Sequence, residues 1–208
     1  MLSKALLSGA VGFVYVESMR YLIRLKNGIG AVPRDRRSLS RMAYDSVKGL
    51  GEDIGNLRIS QSAVELDLLL NSPENLKPAV EILEGKIGPS LTIRQLDTEM
   101  PKMEKDAALR LGIDLFNQER YWESHEALES VWLTAVGREK ELLQGLILAA
   151  AALVHLQKGE DDVALSILNR ASEKFRNNKG SYSGIDIGKL EETVNSMLAS
   201  CKPAVFRI

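Results

Sequence analysis

Short runs in which apolar and polar residues alternate fill the first half of the chain, and longer runs with apolar residues three and four apart fill the second. From Arg20 to Lys26, Tyr21, Ile23 and Leu25 fall on one side and Arg20, Leu22 and Arg24 on the other, the period of a half-buried strand. Asn27, Gly28, Gly30 and Pro33 break it. Ser38 to Val47 then carries apolar residues at helical spacing as far as Gly49 and Gly51, which predicts a helix with a glycine stop. Leu57 to Ile59 and Ala63 to Leu68 alternate on either side of Ser60-Gln61-Ser62 and predict a hairpin. A second helix starts near Pro73 with Ser72 as its N-cap, passes through Leu76, Val80 and Leu83, and ends near Gly85 or Gly88. Leu91 to Leu96 supplies a last strand.

The order β-α-β-β-α-β over residues 19–98 predicts an α+β, ferredoxin-like domain, with two helices on one face of a four-stranded sheet. Parity sorts its side chains. With Ile23, Leu57, Ile59, Leu66 and Ile93 toward the helices, Arg24, Arg58, Glu65, Asp67 and Arg94 project from an open face that lacks the aromatics on which RNA-reading sheets stack bases. Arg34, Arg36, Arg37 and Arg41, beside the start of the first helix, are the better phosphate candidates of this half and the basis for an RNA-binding alternative; a solvated basic loop is the plainer reading.

Thr98 to Lys102 reads as a linker, and residues 103–208 as an all-helical domain. Its first helix runs to about Asn117, the second from Tyr121 to Ala135 with Gly137 as its stop, and the third over Glu139 to Lys158. The third is apolar nearly all round, as the centre of a bundle is; the polar residues at its ends, with Gln144 and His155 inside, leave too short an apolar run for a membrane span. Asp161 or Asp162 opens a fourth helix, Asn177 to Gly184 forms a polar turn, and Asp186 caps a fifth. Short connections predict antiparallel neighbours in a five-helix bundle. The pair from Leu109 to Trp132 has a tetratricopeptide-like rhythm in which His125 and Glu129 take the two packing positions; no period of 34 residues repeats, so no array is predicted.

A formal charge of −1 gives no general attraction to nucleic acid or acidic lipid. One cysteine, Cys201, allows no internal disulfide framework, which suits a reducing cytoplasm. Ala5 to Val16 is apolar but too short to span a bilayer; residues 1–18 read as an N-terminal extension, with Met19 as an alternative start.

The chemistry concentrates in Tyr121 to Trp132, which holds one of two histidines and both tryptophans. Tyr121, His125 and Glu129 are four apart and form one helical stripe, with Trp132 nearly in line. Three readings stay open. A buried His–Glu pair can fix packing, with Gln144 and His155 facing it from the central helix. His125-Glu126-x-x-Glu129 has the spacing of a zinc-protease helix with Glu in place of its second His, so His125, Glu129 and His155 are candidate ligands for Zn²⁺, Mn²⁺ or Fe²⁺, and Glu126 is the general-base position of a hydrolase. A pocket walled by Tyr121, Trp122 and Trp132 can instead bind a ligand, a peptide or a partner helix, with a homodimer through the sheet. Gly28-Ile29-Gly30 lacks the third glycine of a dinucleotide loop, so nucleotide cofactors are not indicated.

Leu115-Phe116-Asn117, Tyr121-Trp122-Glu123, His125-Glu126, Leu128-Glu129 and Trp132, followed by Leu143 to Ile147 and His155, resemble the family called domain of unknown function 309, with its His-x-x-x-Glu-x-x-Trp helix. The resemblance spans roughly residues 104–200. It implies a small all-helical domain and singles out His125, Glu129 and Trp132, without implying an activity.

Overall fold

The computed structural model describes residues 18–50, 53–97, 103–176 and 178–208. The expected linker and, except for residue 18, the expected N-terminal extension lie outside the described residues.

Strand β1 (Met19–Lys26) leads through a 3₁₀ turn (Pro33–Asp35) into helix α1 (Arg36–Val47). The hairpin follows as β2 (Asp53–Ile59) and β3 (Ala63–Leu70), then α2 (Leu76–Lys86) and β4 (Ser90–Gln95). The strands lie in the order β2-β3-β1-β4, and every neighbouring pair is antiparallel. Ile23, Leu25, Leu66 and Leu68 of the sheet bury against Leu39 and Ala43 of α1 and Ala79 and Leu83 of α2, as the alternation requires. Before β4 the chain turns at Gly88, where a Cβ would lie 2.5 Å from the carbonyl oxygen of Lys26 and φ is +147°. Only glycine fits there. Ile93 departs from the expected parity: it is 44% exposed, because β4 is an edge strand bonded to β1 alone.

Five helices make the second half: α3 (Lys105–Asn117), α4 (Tyr121–Trp132), α5 (Gly137–Gln157), α6 (Asp161–Arg176) and α7 (Ile187–Ser200). Each packs on the next, and α5 lies between α4 and α6 with Leu143, Leu146, Ala149, Ala150 and Leu153 fully buried. Gly137, at φ +56°, opens α5 instead of closing α4, which ends three residues before the expected Ala135. The polar turn contains a two-residue hairpin, β5 (Ser181–Tyr182) and β6 (Ile185–Asp186). Asp186 caps α7 as expected, its carboxylate accepting from the Lys189 amide at 3.1 Å. No helix among the described residues is long and apolar enough to cross a membrane.

The tetratricopeptide-like pair forms with a shifted register. Ser124 and Leu128, not His125 and Glu129, meet α3. The Ser124 hydroxyl donates to the Gly112 carbonyl at 2.7 Å, and a Cβ on Gly112 would lie 2.8 Å from Leu128 Cγ and Cδ2. The small residue that allows the close approach sits on the first helix of the pair.

The expected open face of the sheet is covered. Arg58, Glu65 and Asp67 are only 2%, 3% and 2% exposed, with Leu22 at 2% beside them, because the helical half lies over them with α4 and α5. Of the charges that parity placed on this face, Arg58, Glu65 and Asp67 are therefore interior and Arg24 and Arg94 partly buried, and their pairing holds the site together.

Candidate functional site

Across the buried face the charges alternate in sign by register. Arg24 pairs across β1 and β3 with Glu65, and Glu65 pairs across β3 and β2 with Arg58. Both Glu65 oxygens are used, one accepting from Arg24 Nε and the other from Arg58 Nε, each at 3.2 Å. Asp67 accepts from Arg58 at 3.4 Å, from Asn56 Nδ2 at 2.8 Å and from Arg20. A buried carboxylate is tolerable only with such partners. Even so, burial pushes the Glu65 carboxyl above its ordinary range, against the opposing pull of Arg58 and Arg24.

Helix α4 supplies the other side. Arg58 reaches from β2 over the ring of Trp122, 5.8 Å from its centroid, and the same indole lies parallel to the His125 ring, within 3°, with centroids 6.0 Å apart. Glu123 takes two bonds from Arg120, at 2.7 and 2.8 Å, and faces Arg94 of β4 at 3.8 Å. The bond to Glu123 raises the Arg120 guanidinium further. Arg94 also donates to Glu126 at 2.6 Å. The first turns of α4 are thus tied to two strands of the sheet.

Farther along the helix, His125 Nδ1 lies 3.9 Å from Glu129, too far for a hydrogen bond, and is enclosed with no hydrogen-bond partner. Trp132 Nε1 is enclosed in the same way, while its ring carries the Lys140 ammonium 4.5 Å from the centroid. The stripe along the helix is Trp122, His125, Glu129, Trp132.

Tyr121 does not belong to that stripe. It is fully buried in the helical core, its ring edge-on to Phe116 at 5.1 Å, and burial pushes its hydroxyl up. At 100° per residue the stripe beginning at 122 clears the core, and the one beginning at 121 enters it with Ser124, Leu128 and Val131. Gln144 is half-buried on α5. His155 stands near the end of α5, two residues before Gln157, whose amide donates to the Glu119 carbonyl in the turn preceding α4. Its Nδ1 meets Glu160 at 2.6 Å, and Glu160 also pairs with Arg36 at 3.2 Å. The three candidate ligands His125, Glu129 and His155 are not brought together, and no cluster of three or more His, Cys, Asp or Glu side chains among the described residues is placed to hold a metal ion. Glu126, the candidate base, is held by Arg94.

Arg36, Arg37 and Arg41 line an open groove of about 830 Å³ between α1 and β2, with Ser40, Tyr44 and Asn56; Arg34 lines a separate groove with Val32 and Leu156. An apolar groove of about 530 Å³ runs between α3 and α4 past Leu111, Ala127 and Val131. None of these three is lined by His125, Glu129 or Trp132. The role of Glu123, Arg120 and Lys140 was not evident from sequence, although Arg120 and Glu123 stand at the spacing of a helical ion pair.

Residues 109–167 match the model of the family described as Domain of unknown function (DUF309), so the helical half of the chain carries a domain of that family, and Trp122, His125, Glu129 and Trp132 all fall within the match. The chain is also similar to a crystal structure of a conserved hypothetical protein from Thermus thermophilus, at 34% identity over 43% of this chain and 94% of that one, with a TM-score of 0.38. No curated protein matches it.

Proposed function

Taking the helical half as a member of that family, we propose that the protein is a binding module in which the His125-Glu129-Trp132 helix is the element that docks the helical domain on the sheet. The observation that carries this reading is Trp122, which meets both the Arg58 guanidinium of β2 and the His125 ring one turn along its own helix. A ring engaged by both neighbours, with Glu123 and Glu126 committed to arginines, leaves little of the motif for chemistry. The strand order β4-β1-β3-β2 supports reading the first half as a ferredoxin-like sandwich, whose helix-free face is the natural docking surface.

His125→Ala removes the stacked ring and is expected to lower the unfolding temperature, with a loss of about 1–2 kcal/mol for a half-buried aromatic contact. An unchanged melting temperature refutes the docking role. The enclosed, unpartnered nitrogens of His125 and Trp132 support a second reading, a small ligand or ordered water lying along the stripe at Glu129. The hydrolase reading draws less support, since Glu126 and His155 are both held by other partners. Elemental analysis of untagged protein tests it directly: near-stoichiometric zinc, manganese or iron that is lost in His125→Ala would overturn the docking reading in favour of a metal site.

A further inference from the structure

The docking helix uses the charges of the buried sheet face, but Arg37 and Arg41 of α1 are exposed and take no part in that pairing. Arg37, Arg41 and Tyr44 stand four and three residues apart on α1, one stripe of the helix, and all three are exposed into the groove between α1 and β2. No described carboxylate pairs with Arg37 or Arg41, whereas Arg36, beside them, is bound to Glu160. Two unpaired guanidinium groups one turn apart on one helix face, near the N-terminal end where the helix dipole is positive, form a site for a doubly charged anion.

The opposite wall of the groove is β2, and its shape comes from an irregularity. The pairing of β2 with β3 shifts between Gly55 and Arg58, and Asn56 stands in the shift at φ +46°, with its side-chain amide donated to Asp67. At that irregularity Asn56 is exposed and lines the groove. An Asn held at positive φ on an edge strand is the kind of backbone departure that accompanies a binding surface. Asp45 and Asp53 line the groove too, and Asp45, next to Tyr44, stands one turn on from Arg41.

We propose that this groove binds a nucleoside phosphate. The phosphates lie on Arg37 and Arg41 and the base stacks on Tyr44, with the sugar that joins them spanning the turn of helix between. Arg37 and Tyr44 are seven residues apart, about 10 Å along the helix at 1.5 Å per residue, a span that a nucleoside diphosphate bridges. The volume of about 830 Å³ is that of a small-molecule cleft. Two guanidinium groups followed by an exposed aromatic ring on one helix face match phosphates joined through a sugar to a base. An inorganic anion would need only the first, and the acids would repel a polyanion laid along the whole groove.

Calorimetric titration of the full chain with ADP, GDP, CDP and UDP, and separately with adenosine and inorganic pyrophosphate, tests the assignment. At least one nucleoside diphosphate is expected to bind, with Arg37→Ala/Arg41→Ala weakening it about tenfold or more and Tyr44→Ala about fivefold or more. All three residues are exposed, so the variants keep the fold, and their circular dichroism should match the wild type. Absence of binding by all four diphosphates, or binding that survives the double arginine variant, overturns the proposal. Pyrophosphate binding as tightly as the best diphosphate overturns the base contact. A single-stranded oligoribonucleotide that binds more tightly than any diphosphate, with affinity falling steeply in salt, makes the groove an RNA surface instead.

Discussion

Arg58→Met is the substitution that most directly probes how the two halves are joined. Arg58 is 2% exposed, 3.2 Å from Glu65 and 3.4 Å from Asp67, and lies over Trp122. Breaking a buried pair by removing one partner costs about 3–5 kcal/mol, because the other charge is left in low dielectric. Here neither carboxylate is orphaned, since Glu65 keeps Arg24 and Asp67 keeps Asn56 and Arg20. Methionine also retains packing against the indole ring. The loss should therefore sit at the low end, about 3 kcal/mol, which for a chain of this length lowers the unfolding temperature by about 6–12 °C. Urea denaturation followed by tryptophan fluorescence is the suitable assay because both tryptophans lie on α4 and Trp122 lies under the substituted residue. The deficit should persist in high salt, since buried pairs are poorly screened. A change below about 1 kcal/mol, or one that vanishes with salt, would place Arg58 among solvated surface pairs and refute the account of a buried joint.

Glu65→Gln should alter how stability depends on pH. The folded carboxyl titrates above its ordinary value of 4.5, so between that value and its raised one the unfolded chain ionises while the folded chain holds its proton, and stability falls as pH rises. Glutamine removes that slope, so the variant should gain on the wild type with rising pH above 4.5, and a constant difference in denaturation free energy across the range contradicts the assignment. Glu84 and Glu139, held low by bonds from Ser90 and from Lys105 and Tyr182, act on the other side: their contribution is present above 4.5 and is lost as pH falls below it. Gly145→Ala should destabilise by about 1–2 kcal/mol, since a Cβ would lie 2.5 Å from Cε1 of the fully buried Phe175 and overpacking outweighs the helix-propensity gain of about 1 kcal/mol. Gly85→Ala, with nothing within 4 Å of its Cβ, should show that gain alone, and equal effects at the two sites by calorimetry would refute the packing argument.

The helices and strands were readable because period and breaker residues act locally. Asp186 announced the start of α7, and the Ser60-Gln61-Ser62 turn announced the hairpin, each through its nearest neighbours. The errors share a different cause. Ile93 has the alternation of a buried residue, yet β4 is at the sheet edge, and edge position is decided by strand order. Tyr121 has the spacing from His125 that a helical stripe requires, but four residues leave it about 40° round the helix on the side of buried Leu128, and it enters a core shared with Phe116. His155 and Gln144 have a common spacing on α5, but the partner of His155 is Glu160, across the turn into α6.

The covered sheet face is where local reasoning came closest and stopped short. Parity placed Arg24, Arg58, Glu65, Asp67 and Arg94 on one face, and cross-strand register would already have paired Arg24 and Arg58 with Glu65. What the pattern omitted was that so many opposite charges on one face are not needed in water, where exposed pairs contribute little. Their alternation makes sense once the face is interior, because each buried carboxylate then requires its own guanidinium. A sheet face that is charged, sign-alternating and free of aromatics can therefore be read as a buried polar joint. The complement belongs on the docking helix: acids at Glu123 and Glu126 for Arg94, and a flat ring at Trp122 for Arg58. On that reasoning the motif helix and the sheet face specify each other, and Trp122→Ala should loosen the same joint as Arg58→Met, so the double variant should cost less than the sum of the two single ones.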